Sequence, residues 1–125
     1  MTQAGAGDDR RSRSKRAPLP HICVAKLDAS DLSSVKGQLA KNRPVIFAMT
    51  VGLSFFNFRG NGIFDTLEYG PETTGHSMVL VGFDDDRSAF RLMNSFGRDW
   101  GEDGYAWISY ELRRKQVHVG FVIAP

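Results

Sequence analysis

The chain has 125 residues, 42% of them hydrophobic and 24% charged, which leaves room for one domain with a modest core. No stretch approaches the roughly 18 apolar residues of a membrane span, and the single cysteine, Cys23, excludes an internal disulfide and a multi-cysteine zinc site. The formal net charge of +2 is uneven: residues 1–20 hold five basic and two acidic groups, so the folded body lacks the basic footprint of a nucleic-acid-binding domain.

Residues 1–18 read as a disordered basic tail. Met1 to Ser14 contain no aromatic and no β-branched apolar residue, and Arg10, Arg11, Arg13, Lys15 and Arg16 repel one another. No apolar stretch follows the arginine pair, so no secretory or twin-arginine leader is read and a cytoplasmic setting is the default. A solvated tail, or the remnant of a longer polypeptide, is favoured over a nucleic-acid or localisation signal. One ordered unit is expected over 19–125.

His21 to Leu27 alternate as a short strand. A helix follows, with Ser30 as cap, Asp31 at the positive end of the dipole, and Leu32, Val35 and Leu39 on one face. Asn42, ahead of Arg43 and Pro44, ends it. Val45 to Val51 make a strand expected to be buried on both faces, Gly52 to Phe58 a short helical turn, and Arg59 to Gly62 a turn. A second buried strand runs from His76 to Phe83, and Asp84, Asp85 and Asp86 form an acidic hairpin tip without calcium-loop spacing. Phe90 to Met93, Tyr105 to Tyr110 and Val117 to Ile123 supply further strands. One main helix with five or six strands is an α+β pattern: an antiparallel β half-barrel.

Three histidines are present. His21 and His118 fit the common case of a hydrogen-bonded structural histidine on a strand, but His76 opens a buried strand directly after Gly75, at the rim of the sheet. A general base also needs an orienting partner on its second ring nitrogen. Asn94 ends the strand that a short hairpin pairs with the His76 strand, and Phe96 and Trp100 lie just beyond it. From the residues alone, a turn-capping Asn94 with core aromatics remains the preferred reading.

Two longer segments change that balance. Gly75-His76-Ser77-Met78-Val79-Leu80-Val81-Gly82-Phe83 resembles the segment around the active-site histidine of papain-like cysteine peptidases. Asn94-Ser95-Phe96-Gly97-Arg98-Asp99-Trp100-Gly101-Glu102-Asp103-Gly104-Tyr105 resembles that family's Asn-Ser-Trp-Gly…Trp-Gly-Glu-x-Gly-Tyr signature. Pro44-Val45 and Gly62-Ile63-Phe64 are similar to its upstream landmarks, so the resemblance covers about residues 19–125. It implies the β-rich C-terminal half-domain of that fold, with His76 as the base paired to a thiolate and Asn94 as its orienter. Phe96 stands where the family has a shielding Trp. Trp100 would pack behind the site, and Gly75 would lend backbone groups near the scissile bond. Thr74, Ser77 and Ala48 would line the main specificity pocket, with Ala48 leaving space for a bulky apolar side chain.

The nucleophile departs from the family pattern. The family places its cysteine at a helix start in a preceding helical half, after an oxyanion-hole Gln, and no such segment occurs here. Cys23 falls in a strand between Ile22 and Val24, where a thiol is expected to be a buried, unactivated hydrophobe. The expectation is a half-domain inactive by itself, completed by a helical chain or by the rest of a larger peptidase. The alternative is a pseudo-peptidase binding module for a peptide or protein, and an active hydrolase using Cys23 is the weakest reading. An exposed cleft face predicts self-association or a bound partner. No metal or organic cofactor is implied, and no membrane or nucleic-acid partner.

Overall fold

The computed structural model describes residues 23–124. The expected tail over residues 1–18 and His21 lie outside the described residues, as do the side chains of Cys23 and His118. In chain order the elements are β1 (Cys23–Leu27), α1 (Leu32–Ala40), β2 (Val45–Val51), α2 (Leu53–Phe56), β3 (Ile63–Phe64), β4 (Thr74–Asp84), β5 (Ala89–Met93), β6 (Tyr105–Ser109), α3 (Tyr110–Gln116) and β7 (Val117–Ala124).

The strands form one sheet in the order β1-β7-β2-β4-β5-β6-β3. It is mixed, because β3 pairs with β6 in parallel while the other pairs are antiparallel. That is one more strand than the sequence suggests, and it differs from an all-antiparallel half-barrel. β3 has two residues, too few for the alternation that marks a strand in sequence. α1 is the main helix, α2 falls within the helical turn expected over Gly52 to Phe58, and α3 is an addition to the expected α+β pattern. α3 opens at Tyr110, read above as the end of a strand. Ser109 caps it by accepting from the Leu112 amide, and Glu111 and Arg114 pair at 3.0 Å across one turn.

α1 is capped by Asp31 rather than Ser30. The Asp31 carboxylate accepts from the Ser34 amide, whereas Ser30 turns back to Asp28, donating its hydroxyl at 2.6 Å. At the other end Asn42 adopts φ 59°. The Asn42 and Arg43 amides reach the Leu39 and Gln38 carbonyls at 3.0 Å, a Schellman closure. Val35 and Leu39 are buried and Leu32 partly so, as their spacing on one face requires.

The core lies on one side of the sheet. Along β2 the residues alternate: Val45, Phe47, Met49 and Val51 are buried, while Ile46, Ala48 and Thr50 are half-exposed. β2 is therefore not buried on both faces, because α1 and α3 cover one side only. On the other side a row of apolar residues crosses the sheet, Met93 beside Val79, Val79 beside Ile46, Ile46 beside Phe121. Met93 and Phe121 are 40% and 36% exposed. The acidic tip between β4 and β5 is anchored: Asp85 meets Lys36 at 2.6 Å and accepts from the Tyr110 hydroxyl at 2.7 Å. No helix among the described residues is long and apolar enough to cross a membrane.

Candidate active site

His76 and Asn94 meet at the end of the sheet where β4 begins and β5 ends. The register that pairs Val79 with Met93 places His76 level with the residues just past β5. His76 Nε2 lies 2.8 Å from Asn94 Oδ1. A carboxamide oxygen only accepts, and this one also accepts from the Ser95 amide at 2.8 Å, so Nε2 carries a proton and, in the neutral ring, Nδ1 holds the lone pair. Asn94 is itself held by its amide, which donates to the Gly104 carbonyl at 3.0 Å. Its Nδ2 is buried without a partner among the described residues.

Aromatic rings enclose the pair. Phe96 lies over the imidazole, centroids 4.6 Å apart and planes at 27°, and Phe56 stacks on Phe96 at 5.3 Å. Phe55, fully buried, sits 6.3 Å from the imidazole and edge-on to Phe96 at 6.2 Å. Trp100 packs behind at 4.9 Å from Phe55, and its indole N–H donates to the Phe55 carbonyl at 2.7 Å in a buried setting. The rings exclude water from the Nε2–Oδ1 bond on these sides, which strengthens it.

The loop from Asn94 to Gly104 is shaped by backbone demands. Gly97, Gly101 and Gly104 all have φ between 59° and 94°. At Gly101 a Cβ would also run into the Tyr105 carbonyl. The Gly101 amide donates to the Phe58 carbonyl, and the Gly60 amide donates to the Gly101 carbonyl, both at 2.9 Å. The loop is thereby tied to the chain that follows α2.

The remaining residues singled out above fall in two groups. Ala48 and Ser77 are cross-strand neighbours on the half-open face, and Gly75 pairs with Thr50 on the same face. A Cβ at Gly75 would meet open space, so no neighbour among the described residues requires a glycine there. Thr74 pairs with buried Val51, and strand alternation puts it on the His76 face, away from Ala48 and Ser77. Cys23 lies at the far edge. It pairs with Ala124 on β7, while His76 is level with Met49 and Val117. Three strand spacings and six or seven residues of rise separate the two backbones by more than about 20 Å. Phe55 and Phe56 were given no part by the sequence beyond a helical turn; an aromatic pair directly after a glycine is the signal that could have marked them. Among the described residues no three His, Cys, Asp or Glu side chains converge as a metal-binding group.

The arrangement can hold an imidazole in one tautomer with its unprotonated nitrogen available as a proton acceptor. Comparison with known proteins bears on what that is for. The chain is 34% identical over 93 residues to cathepsin B-like CP3 of Giardia intestinalis, covering 70% of this chain and 30% of that protein. It is 31% identical over 87 residues to cathepsin B-like protease 1 of Arabidopsis thaliana, covering 67% and 21%. The structure superimposes on xylellain, a cysteine protease from Xylella fastidiosa, with a TM-score of 0.61 and 31% identity over 76% of this chain and 37% of that one. The chain thus spans about a third or less of the curated relatives it matches. Residues 7–121 match the model of the papain family cysteine proteases, and it is to that family that this chain belongs.

Proposed function

We propose that this chain supplies the imidazole and carboxamide of a cysteine peptidase site, and that the thiol comes from polypeptide outside the described residues. That polypeptide is a separate helical chain or another part of a larger peptidase. The observation that carries the reading is the 2.8 Å contact of His76 Nε2 with Asn94 Oδ1 beneath Phe96, which leaves Nδ1 as the acceptor. In the completed site the thiol proton moves to Nδ1, and the thiolate attacks the peptide carbonyl carbon. The imidazolium then protonates the departing amine as the C–N bond breaks, and water hydrolyses the thioester. Asn94 keeps the ring aligned through both proton transfers.

Two features support a partner on the half-open face. The apolar row from Met93 to Phe121 is of the kind that marks an interface, and Ala48, Ser77 and Gly75, with small side chains or none, lie side by side on that same face. In this reading Ala48 and Ser77 leave space for a bulky apolar substrate side chain, while Thr74 reaches the substrate from the His76 side.

The test compares the chain alone with the chain mixed with a helical half carrying a Gln…Cys-Trp helix start, using a peptide substrate and a thiol-directed epoxide. Turnover only in the mixture, lost in His76→Ala, is expected. Turnover by the chain alone that Cys23→Ala abolishes would refute the reading. A second reading, a non-catalytic module binding a peptide or protein, is favoured by Phe96 in place of the family's Trp. It predicts peptide binding that His76→Ala leaves intact and no turnover with any partner.

A further inference from the structure

Glu68 lies on the coil between β3 and β4, outside every motif described above. Its carboxylate takes two backbone amides at the start of α2: Oε1 accepts from Gly52 at 2.8 Å and Oε2 from Ser54 at 3.0 Å. The fit is close. A Cβ on residue 52 would lie 2.6 Å from Oε2, and Gly52 has an ordinary extended φ of −138°, so this glycine is needed for space and not for backbone freedom. The Glu68 backbone is moored as well, its carbonyl accepting from Gln116 Nε2 at 3.1 Å.

What the carboxylate holds is the aromatic backing of the site. α2 has four residues and cannot sustain itself as an isolated helix. It carries Phe55 and Phe56, whose rings fix Phe96 from two sides, and Phe96 lies on the imidazole. Trp100 holds the far end of α2 through the Phe55 carbonyl. Only Glu68 holds the near end by side-chain hydrogen bonds among the described residues.

We propose that Glu68 is a positioning residue for His76. By clamping the Gly52 and Ser54 amides it sets Phe55 and Phe56, and through them the Phe96 plate that fixes the imidazole plane. The proposal deepens the reading of His76 as a base and rests on it for its catalytic meaning. Its geometric content can be tested without any turnover.

The experiment records the His76 ring-proton resonances in the full chain, assigned by their loss in His76→Ala. Protons facing an aromatic ring are shifted upfield, so the parent His76 signal reports Phe96 directly. Glu68→Ala is expected to move the signal downfield toward an unstacked imidazole. Glu68→Gln, which keeps one accepting oxygen, is expected to fall between. Gly52→Ala pushes the carboxylate aside without altering it and is expected to act in the same direction. Lys36→Met, which breaks the remote pair with Asp85, is expected to lower stability and leave the signal in place. If Glu68→Ala does not fold, Gly52→Ala and Glu68→Gln decide. Folded variants with the His76 signal at its parent position would overturn the proposal. In a completed enzyme, Glu68→Ala is expected to lower kcat by about tenfold or more at unchanged KM. A displaced signal in a protein that no helical half activates would sink the peptidase reading and leave the positioning role standing.

Discussion

Replacing Trp100 by Phe tests whether the indole works through its N–H or only through its bulk. Trp100 is 2% exposed and its Nε1–H donates at 2.7 Å to the Phe55 carbonyl. Phenylalanine removes that bond but leaves the carbonyl accepting from the Phe58 amide at 3.2 Å, a net cost of about 0.5–1.5 kcal/mol. The smaller ring also opens a cavity of about 40 Å³, which at about 24 cal/mol per Å³ adds about 1 kcal/mol. The sum is a loss of about 1.5–2.5 kcal/mol. Urea titration followed by fluorescence and circular dichroism together would read it as a lower midpoint at unchanged slope. Because the carbonyl belongs to α2, the His76 ring signals should broaden in the same variant. A loss no larger than the cavity's share of about 1 kcal/mol would show that the indole N–H adds nothing, and the account of Trp100 as the far clamp of α2 would fail.

Gly101→Ala forces a side chain into a left-handed conformation and against the Tyr105 carbonyl, so a loss of at least about 2 kcal/mol in a urea melt is expected, and parental stability would contradict it. Asn94→Ala removes the acceptor of a bond that becomes charge-assisted when the imidazole is protonated, a loss of about 1.5–3 kcal/mol that lowers kcat of the completed enzyme roughly 10- to 150-fold. An unchanged kcat would remove Asn94 from the machinery. The hydrogen bond from Lys36, and then that from the Tyr110 hydroxyl, hold the Asp85 carboxyl below its ordinary range. Its folded value is lower than its unfolded value, so its stabilisation is complete above the unfolded value of about 4 and disappears as pH falls through the folded one. Asp85→Asn should therefore be less stable than the parent at neutral pH, with the gap closing as pH falls through the folded value, as paired thermal melts would show. A gap that persists in acid would contradict this.

The sheet strands were legible because their apolar runs are continuous and bounded by Gly, Pro and Asp. Val45 to Val51 and Phe90 to Met93 need no tertiary information to be read as strands. β3 was not legible, since Ile63 and Phe64 are a strand only through β6 beside them. The helix at Tyr110 was hidden by an aromatic that suits a strand equally well, and its capping serine reads the same in either setting. The one-sided burial of β2 depends on where α1 and α3 settle, which periodicity in an all-apolar run does not encode. His76 and Asn94 were placed by two sequence segments and meet in space. Glu68 could not be found this way, because its partners are backbone amides 16 and 14 residues earlier.

The pairing of Cys23 with Ala124 has a practical consequence. Both ends of the described chain leave from the same margin of the sheet, three strands (β1) and two strands (β7) away from the imidazole. A fluorophore or sensor surface attached to the backbone positions at this margin would therefore leave the His76 rim open to an incoming partner.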